Sequence, residues 1–216
     1  MMDNRSIRIT YRILLILGST LGVWLLIRET EDVTASFSYF TTQSNVLCVL
    51  LFGWLVVRDL MKKDGEPAWL PLLKGQTTVG IVLTGIVFNV MLRPFIGDGG
   101  SYDPTSLKDF LVHVSTPVLS LLDYFLFDRK GRFTVFQPLY WTAFPILYWV
   151  YTIVYAALGG TFWLSEDAVS AYPYFFMDVS TYGPLPIVVV ALFVVLIGYG
   201  LFWTDRGLAR RAEAKR

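Results

Sequence analysis

The chain is poor in the residues that most soluble chemistry relies on. Of its 216 residues one is cysteine, Cys48, and one is histidine, His113. A lone cysteine excludes a disulfide scaffold within the chain. A lone histidine excludes a histidine-rich metal site, and no metal or cofactor is expected. Charge is scarce as well: 16% of residues are charged, against roughly 25% in a soluble domain. Lys and Arg number 18 against 17 Asp and Glu, so no basic excess calls for a nucleic-acid partner. There is no Gly-x-Ser-x-Gly elbow and no phosphate-binding Walker loop. Internal repeats, low-complexity tracts and the two-residue alternation of barrel strands are missing too. What is abundant is apolar: 55% of residues are hydrophobic and the mean hydropathy is +0.54. That excess rules out intrinsic disorder.

The apolar residues fall into six stretches near the length of about 20 residues that a membrane helix needs. They run Ile9–Ile27, Tyr39–Val57, Gln76–Ile96, Leu107–Phe127, Val135–Leu158 and Pro184–Trp203. In lipid every backbone group must be bonded internally. The expected fold is therefore all-α: a polytopic bundle of six transmembrane helices over residues 1–204, followed by a basic tail over 205–216. The first stretch has a basic lead but ends in Ile27-Arg28-Glu29 without small residues, so it reads as a retained helix rather than a cleaved signal. Basic residues cluster before the first stretch, after the second, after the fourth and in the tail, and only Arg28, Arg93 and Lys108 fall on the other side. By the positive-inside rule both termini are expected in the cytoplasm. The even charge total thus hides a basic side and an acidic side. The aromatic run Tyr172–Phe176 in the last outer loop suits the headgroup zone.

Strongly polar groups inside such helices are expensive, and here they crowd the outer ends of the second, third and fourth stretches. The second opens with Thr41, Thr42, Gln43, Ser44 and Asn45 in a row. The third carries Gly85, Asn89 and Arg93 at four-residue spacing, one stripe of a helix. Arg93 is either a snorkelling interfacial base or an anion-binding group facing the bundle. Ser106 and Asp109 have capping-box spacing, and Asp109 lies one turn before His113, so it can cap the helix or orient the imidazole. Thr41, Arg93 and His113 each lie within roughly 5–10 Å of the same boundary, at 1.5 Å per residue. A hydroxyl, an imidazole and a cation at one depth suit acyl transfer. His113 is the expected general base for a threonine hydroxyl. Arg93 or Asn89 is the expected partner of the oxyanion or of a substrate carboxylate. Cys48 reads as an inert buried thiol, Asp123 as the partner of Arg129 or of another helix, and Pro145 as a kink.

The segments Phe37–Asn45, His113–Pro117, Phe144–Trp149 and Tyr172–Asp178 resemble a bacterial group of six-span membrane proteins. That group is similar to the eukaryotic androgen-induced and androgen-dependent TFPI-regulating proteins. The resemblance covers about residues 10 to 200. It implies an intramembrane threonine hydrolase of fatty acid esters of hydroxy fatty acids or similar lipid-like esters, in a bacterial cytoplasmic membrane. It assigns the nucleophile to Thr41, in preference to the adjoining Thr42, and the base to His113. The Gln43-Ser44-Asn45 that follows departs from the eukaryotic motif. Thr42, Gln43, Asn45, Asn89 and Arg93 are then the expected substrate-binding residues. An acyltransferase with the same site, or a non-enzymatic lipid or small-molecule transporter or binding bundle, are the alternative readings.

Overall fold

A computed structural model describes residues 4–29, 32–63, 65–95, 103–165 and 168–214. Of the charged residues used above for orientation, Asp3, Glu31, Asp64, Asp98, Glu166, Asp167, Lys215 and Arg216 lie outside the described residues, as does Ile96 at the end of the third stretch. Helix α1 (Arg5–Arg28) starts at Asn4, whose side chain accepts the Ile7 N–H at 3.1 Å. Helix α2 (Val33–Ser38) is parted from α3 (Phe40–Leu60) by Tyr39 alone, which is extended at φ −76° and ψ 141°. Helix α4 (Leu70–Ile86) runs on through a π-helical turn, Val87–Leu92, into a single 3₁₀ turn, Arg93–Phe95. Helix α5 (Leu107–Phe110), a second π-helical turn (Leu111–Ser115) and α6 (Thr116–Phe127) follow one another without a break. After α7 (Gln137–Tyr140) and α8 (Ala143–Ala157) comes a small antiparallel hairpin, β1 (Phe162–Ser165) with β2 (Ala168–Ser170). Helix α9 (Val179–Tyr182) and the long α10 (Leu185–Glu213) complete the chain.

Five helical stretches among the described residues are long and apolar enough to cross a membrane: Arg5–Arg28, Phe40–Leu60, Leu70–Leu92, Leu107–Phe127 and Leu185–Glu213. The expected fifth stretch, Val135–Leu158, is divided instead. Its main helix α8 has 15 residues, roughly 22 Å at 1.5 Å per residue, short of a hydrocarbon core of about 30 Å. The break falls at Trp141 and Thr142, one turn before Pro145. Proline has no N–H for the carbonyl four residues back, and its ring crowds that carbonyl. The carbonyl in question is that of Trp141, and Gln76 Nε2 of α4 donates to it at 2.8 Å. The Trp141 indole N–H in turn donates to the Leu72 carbonyl at 3.0 Å. Its ring lies so close to Gly75 that a Cβ there would fall 2.1 Å from it, so a glycine is required for α7 and α4 to meet.

The bundle has the distribution of polarity that a lipid-facing protein needs. Leu14, Leu17, Leu50, Leu147, Leu185 and Leu196 are all exposed. Ser19, Thr42, Ser44, Asn45, Thr78, Thr84, Ser120 and Thr152 are buried. In water this arrangement would leave apolar surface hydrated with little return. In lipid, where tails are as apolar as leucine, packing and hydrogen bonds between helices must supply the cohesion. The interior hydroxyls do so: Ser44 Oγ and Thr84 Oγ1, on α3 and α4, are 2.8 Å apart. The chain is thus mostly helical, with the helices an integral membrane protein requires.

Candidate active site

Tyr39 interrupts the helix just before the polar run, so α3 begins anew at Phe40 and the first N–H groups of that helix lack intrahelical partners. Thr41 is in this first turn. Its Oγ1 lies 3.2 Å from His113 Nε2. His113 is buried, in the π-helical turn Leu111–Ser115. On the far side of the ring, Asp109 Oδ1 lies 3.1 Å from Nδ1. The carboxylate is off the direction of the ring N–H, so the contact is an electrostatic one without an aligned hydrogen bond. Asp109 also takes part in the start of the helix. Its Oδ2 accepts from Ser106 Oγ at 2.7 Å, while Ser106 Oγ accepts the Asp109 N–H at 3.4 Å as the N-cap of α5. Phe88 fixes the imidazole plane: the two rings stack with centroids 3.6 Å apart and planes within 5°.

A π-helical turn carries an extra residue and leaves backbone carbonyls poorly satisfied, which is why such turns are rare and often functional. Two asparagines meet that need here. Asn45 Nδ2 donates to the Val112 carbonyl at 3.3 Å and to the Thr41 carbonyl at 2.8 Å, and its Oδ1 accepts from Ser19 Oγ at 3.1 Å. Asn89 Nδ2 donates to the His113 carbonyl at 3.1 Å and to the Gly85 carbonyl at 2.9 Å. Asn45 and Asn89 therefore hold the backbone around His113, with their donors committed to carbonyls. Close approach on both sides tightens the clamp. A Cβ on Gly22 of α1 would meet Val112 Cγ1 at 2.7 Å, and one on Gly85 of α4 would meet the His113 carbonyl at 3.0 Å.

Thr41 also forms part of the wall of a cleft of about 450 Å³, a volume in the range of small-molecule sites. The other walls are Leu83 and Val87 of α4 and its extension, Ile146 and Trp149 of α8, and Val190 and Val194 of α10. Few polar groups line it, chiefly Thr41, Thr84, Thr142 and the phenols of Tyr148 and Tyr174. Tyr148 donates to the Ser38 carbonyl at 3.1 Å. Tyr174 shares the cleft lining with Phe40, Thr41 and Tyr148, and burial holds this loop phenol above its ordinary pKa. Tyr174 belongs to the aromatic run expected in the headgroup zone. It stacks on Phe176 at 5.3 Å, and both rings line the cleft, while Phe175 remains exposed.

The remaining expected residues are placed elsewhere. Arg93 is exposed, does not line the cleft, and reaches only Asn89 Oδ1, at 3.5 Å. Gln43 Nε2 donates to the Phe37 carbonyl at 3.2 Å, tying α2 across the Tyr39 break. Thr42 is buried and does not line the cleft. Tyr148 and Tyr174 were given no role from sequence, because nothing local separates them from the other tyrosines. Among the described residues no group of three or more His, Cys, Asp or Glu could hold a metal ion. Comparison with family models, with curated proteins and with solved structures returns no match to this chain.

Proposed function

We propose that the protein is an intramembrane hydrolase of lipid-like esters, such as fatty acid esters of hydroxy fatty acids, with Thr41 as nucleophile. The observation that carries this reading is the succession of contacts from Asp109 through His113 to Thr41, whose side chain lines an apolar cleft. With Nδ1 protonated beside the Asp109 carboxylate, Nε2 can take the Thr41 proton as Oγ1 attacks the ester carbonyl. The developing oxyanion would be met by the Tyr174 phenol and the N–H groups of the first turn of α3. Collapse of the intermediate passes the Nε2 proton to the departing alkoxide and leaves an acyl-threonine. Water, deprotonated by Nε2, then releases the fatty acid and restores the hydroxyl. The substrate class follows from the cleft walls, which suit an acyl chain and offer few partners to a polar molecule.

This reading includes a sixth crossing made by α7 and α8 together. Both α6 and α10 end beside Asp205: Gly131 N–H donates to Asp205 Oδ2 at 2.9 Å. The end of α8 lies at the opposite end, where Tyr151 pairs with Ser38 at 2.7 Å. The chain between the end of α6 and the start of α10 therefore crosses once, and α10 returns, which supports six passes. The positive-inside distribution then favours both termini in the cytoplasm of a bacterial cell, with the ester site in the outer leaflet. It also agrees with the resemblance to the six-span relatives of the androgen-induced and androgen-dependent TFPI-regulating proteins.

The test is hydrolysis of a fatty acid ester of a hydroxy fatty acid by the protein purified in detergent. Thr41→Ala and His113→Ala should each lower turnover by at least about 10²-fold, and a fluorophosphonate should label Thr41. Unchanged turnover in both variants would exclude the mechanism. Product that forms only when an alcohol or amine acceptor is added would make the protein an acyltransferase with the same site.

A further inference from the structure

At the end of the bundle where α1 begins and α10 finishes there is a second pocket, of about 220 Å³. It is remote from the ester site: Thr41 and Asp59 stand at opposite ends of α3, roughly 27 Å apart at 1.5 Å per residue. Its floor is a charge-balanced cluster. Arg8 donates to Asp59 at 2.9 and 2.7 Å, and Arg12 bridges Asp59 at 3.1 Å and Asp123 at 2.9 Å. Lys74 joins Asp123 and, at 3.1 Å, Asp128. Three bases thus meet three carboxylates, and the floor has no charge to offer a ligand.

The rim differs. Among the described residues Arg5, Arg58, Lys63, Arg129 and Arg132 surround the mouth, against one acid, Glu66. Arg132 reaches Glu66 at 3.7 Å. Arg58 donates to the Gly65 carbonyl at 2.5 Å and lies over the Trp54 ring at 4.9 Å. Lys63 and Arg129 are exposed and make no ion pair with any described residue. A concave mouth with this excess concentrates positive potential, and arginines with lysines are the groups that hold phosphate oxygens. The pocket also lies at the ends of membrane-length helices, the level at which lipid headgroups are found.

We propose that this pocket binds a phosphate-bearing anion, either the headgroup of an anionic lipid or free phosphate, through Lys63, Arg129 and Arg132. The full chain in detergent is titrated in two arms while its thermal unfolding is followed: inorganic phosphate against chloride at equal ionic strength, and phosphatidylglycerol against phosphatidylcholine. A saturable rise in midpoint with phosphatidylglycerol alone assigns the lipid headgroup; a saturable rise with phosphate as well assigns the free anion. Lys63→Gln/Arg129→Gln/Arg132→Gln should need at least fivefold more ligand for the same rise, and Lys63→Gln by itself at least twofold if the triple variant does not fold. Arg206→Gln/Arg210→Gln/Arg211→Gln removes as much charge from α10 outside the pocket and should leave the titration unchanged. No saturable rise in either arm overturns the proposal. So does a wild-type titration in the pocket variants, or an equal weakening in the α10 variant.

Discussion

Among the buried and half-buried hydroxyls of the bundle, Thr41 differs in its neighbours rather than in its chemistry. Ser44 and Thr84 bond to each other, and Thr84 also donates to the Gly80 carbonyl at 3.1 Å, so both are consumed in holding helices together. Thr41 has a ring nitrogen as partner and a cavity beside it. Tyr174 adds a phenol to the lining of the same cleft. Replacing Tyr174 with Phe keeps the ring that stacks on Phe176 and removes only the hydroxyl. If the phenol meets the oxyanion, kcat should fall by about 10²-fold while KM moves by less than about threefold. A matching loss in KM alone would instead make Tyr174 a substrate contact, and unchanged kinetics would remove it from the reaction. Depth in the sequence groups Thr41, His113 and Arg93 without fixing which of them meet, and the family resemblance singles out Thr41; the structure brings Thr41 to His113 and leaves Arg93 exposed. Asn45 and Asn89 stood out for the same reason, as polar groups at the right level. Their partners are backbone carbonyls of a π-helical turn, and no residue type in the sequence marks where such a turn will form.

At the scale of elements, the site depends on helices that depart from regularity. The break at Tyr39 frees the N–H groups of α3, and the π-helical turn Leu111–Ser115 rotates His113 toward Thr41. That turn persists because α1 and α4 close on it at Gly22 and Gly85, while Asn45 of α3 and Asn89 of the turn that extends α4 donate to its carbonyls. Gly85→Leu should therefore act on the site as well as on stability. Its side chain would press on the His113 carbonyl and Pro117, each within 3.2 Å of a Cβ. Overpacking of this kind typically costs about 1–3 kcal/mol. Thr41 labelling by a fluorophosphonate, measured well below the unfolding midpoint, should slow more than tenfold, because His113 moves with the turn. Normal labelling in a destabilised Gly85→Leu protein would show that the clamp does not position the imidazole. The helices themselves were largely readable, since a run of about 20 apolar residues has few other solutions. The division of the fifth run is not legible, because composition does not register the break before Pro145, where Gln76 donates to the Trp141 carbonyl and the Leu72 carbonyl accepts the indole N–H from more than 60 positions away.

The whole molecule is polarised along its helices, with a nearly uncharged reaction cleft at one end and a dense ionic network at the other. Asp123 is the hub of that network. It is fully buried on α6 and contacts Arg12 of α1 and Lys74 of α4, so one carboxylate joins three helices. Its sequence position left Arg129 or another helix open as the partner. The actual partners come from two distant helices, and those pairings follow from how the bundle packs. Burying such ions is expensive, and a satisfied cluster is close to neutral in its net contribution, but removing one partner leaves an uncompensated charge. Asp123→Ala should therefore destabilise the protein by about 3–5 kcal/mol, read as a lower unfolding midpoint in detergent. Adding Lys74→Met removes the unmatched cation and restores charge balance among Arg8, Arg12, Asp59 and Asp128. The double variant should then be more stable than Asp123→Ala alone, an interaction that a double-mutant cycle measures directly. Ester turnover per folded molecule should survive in the double variant, because the network lies a helix length from Thr41. Additive losses would mean that Asp123 and Lys74 are not coupled. A loss of turnover in a stable double variant would mean that the two ends of the bundle communicate.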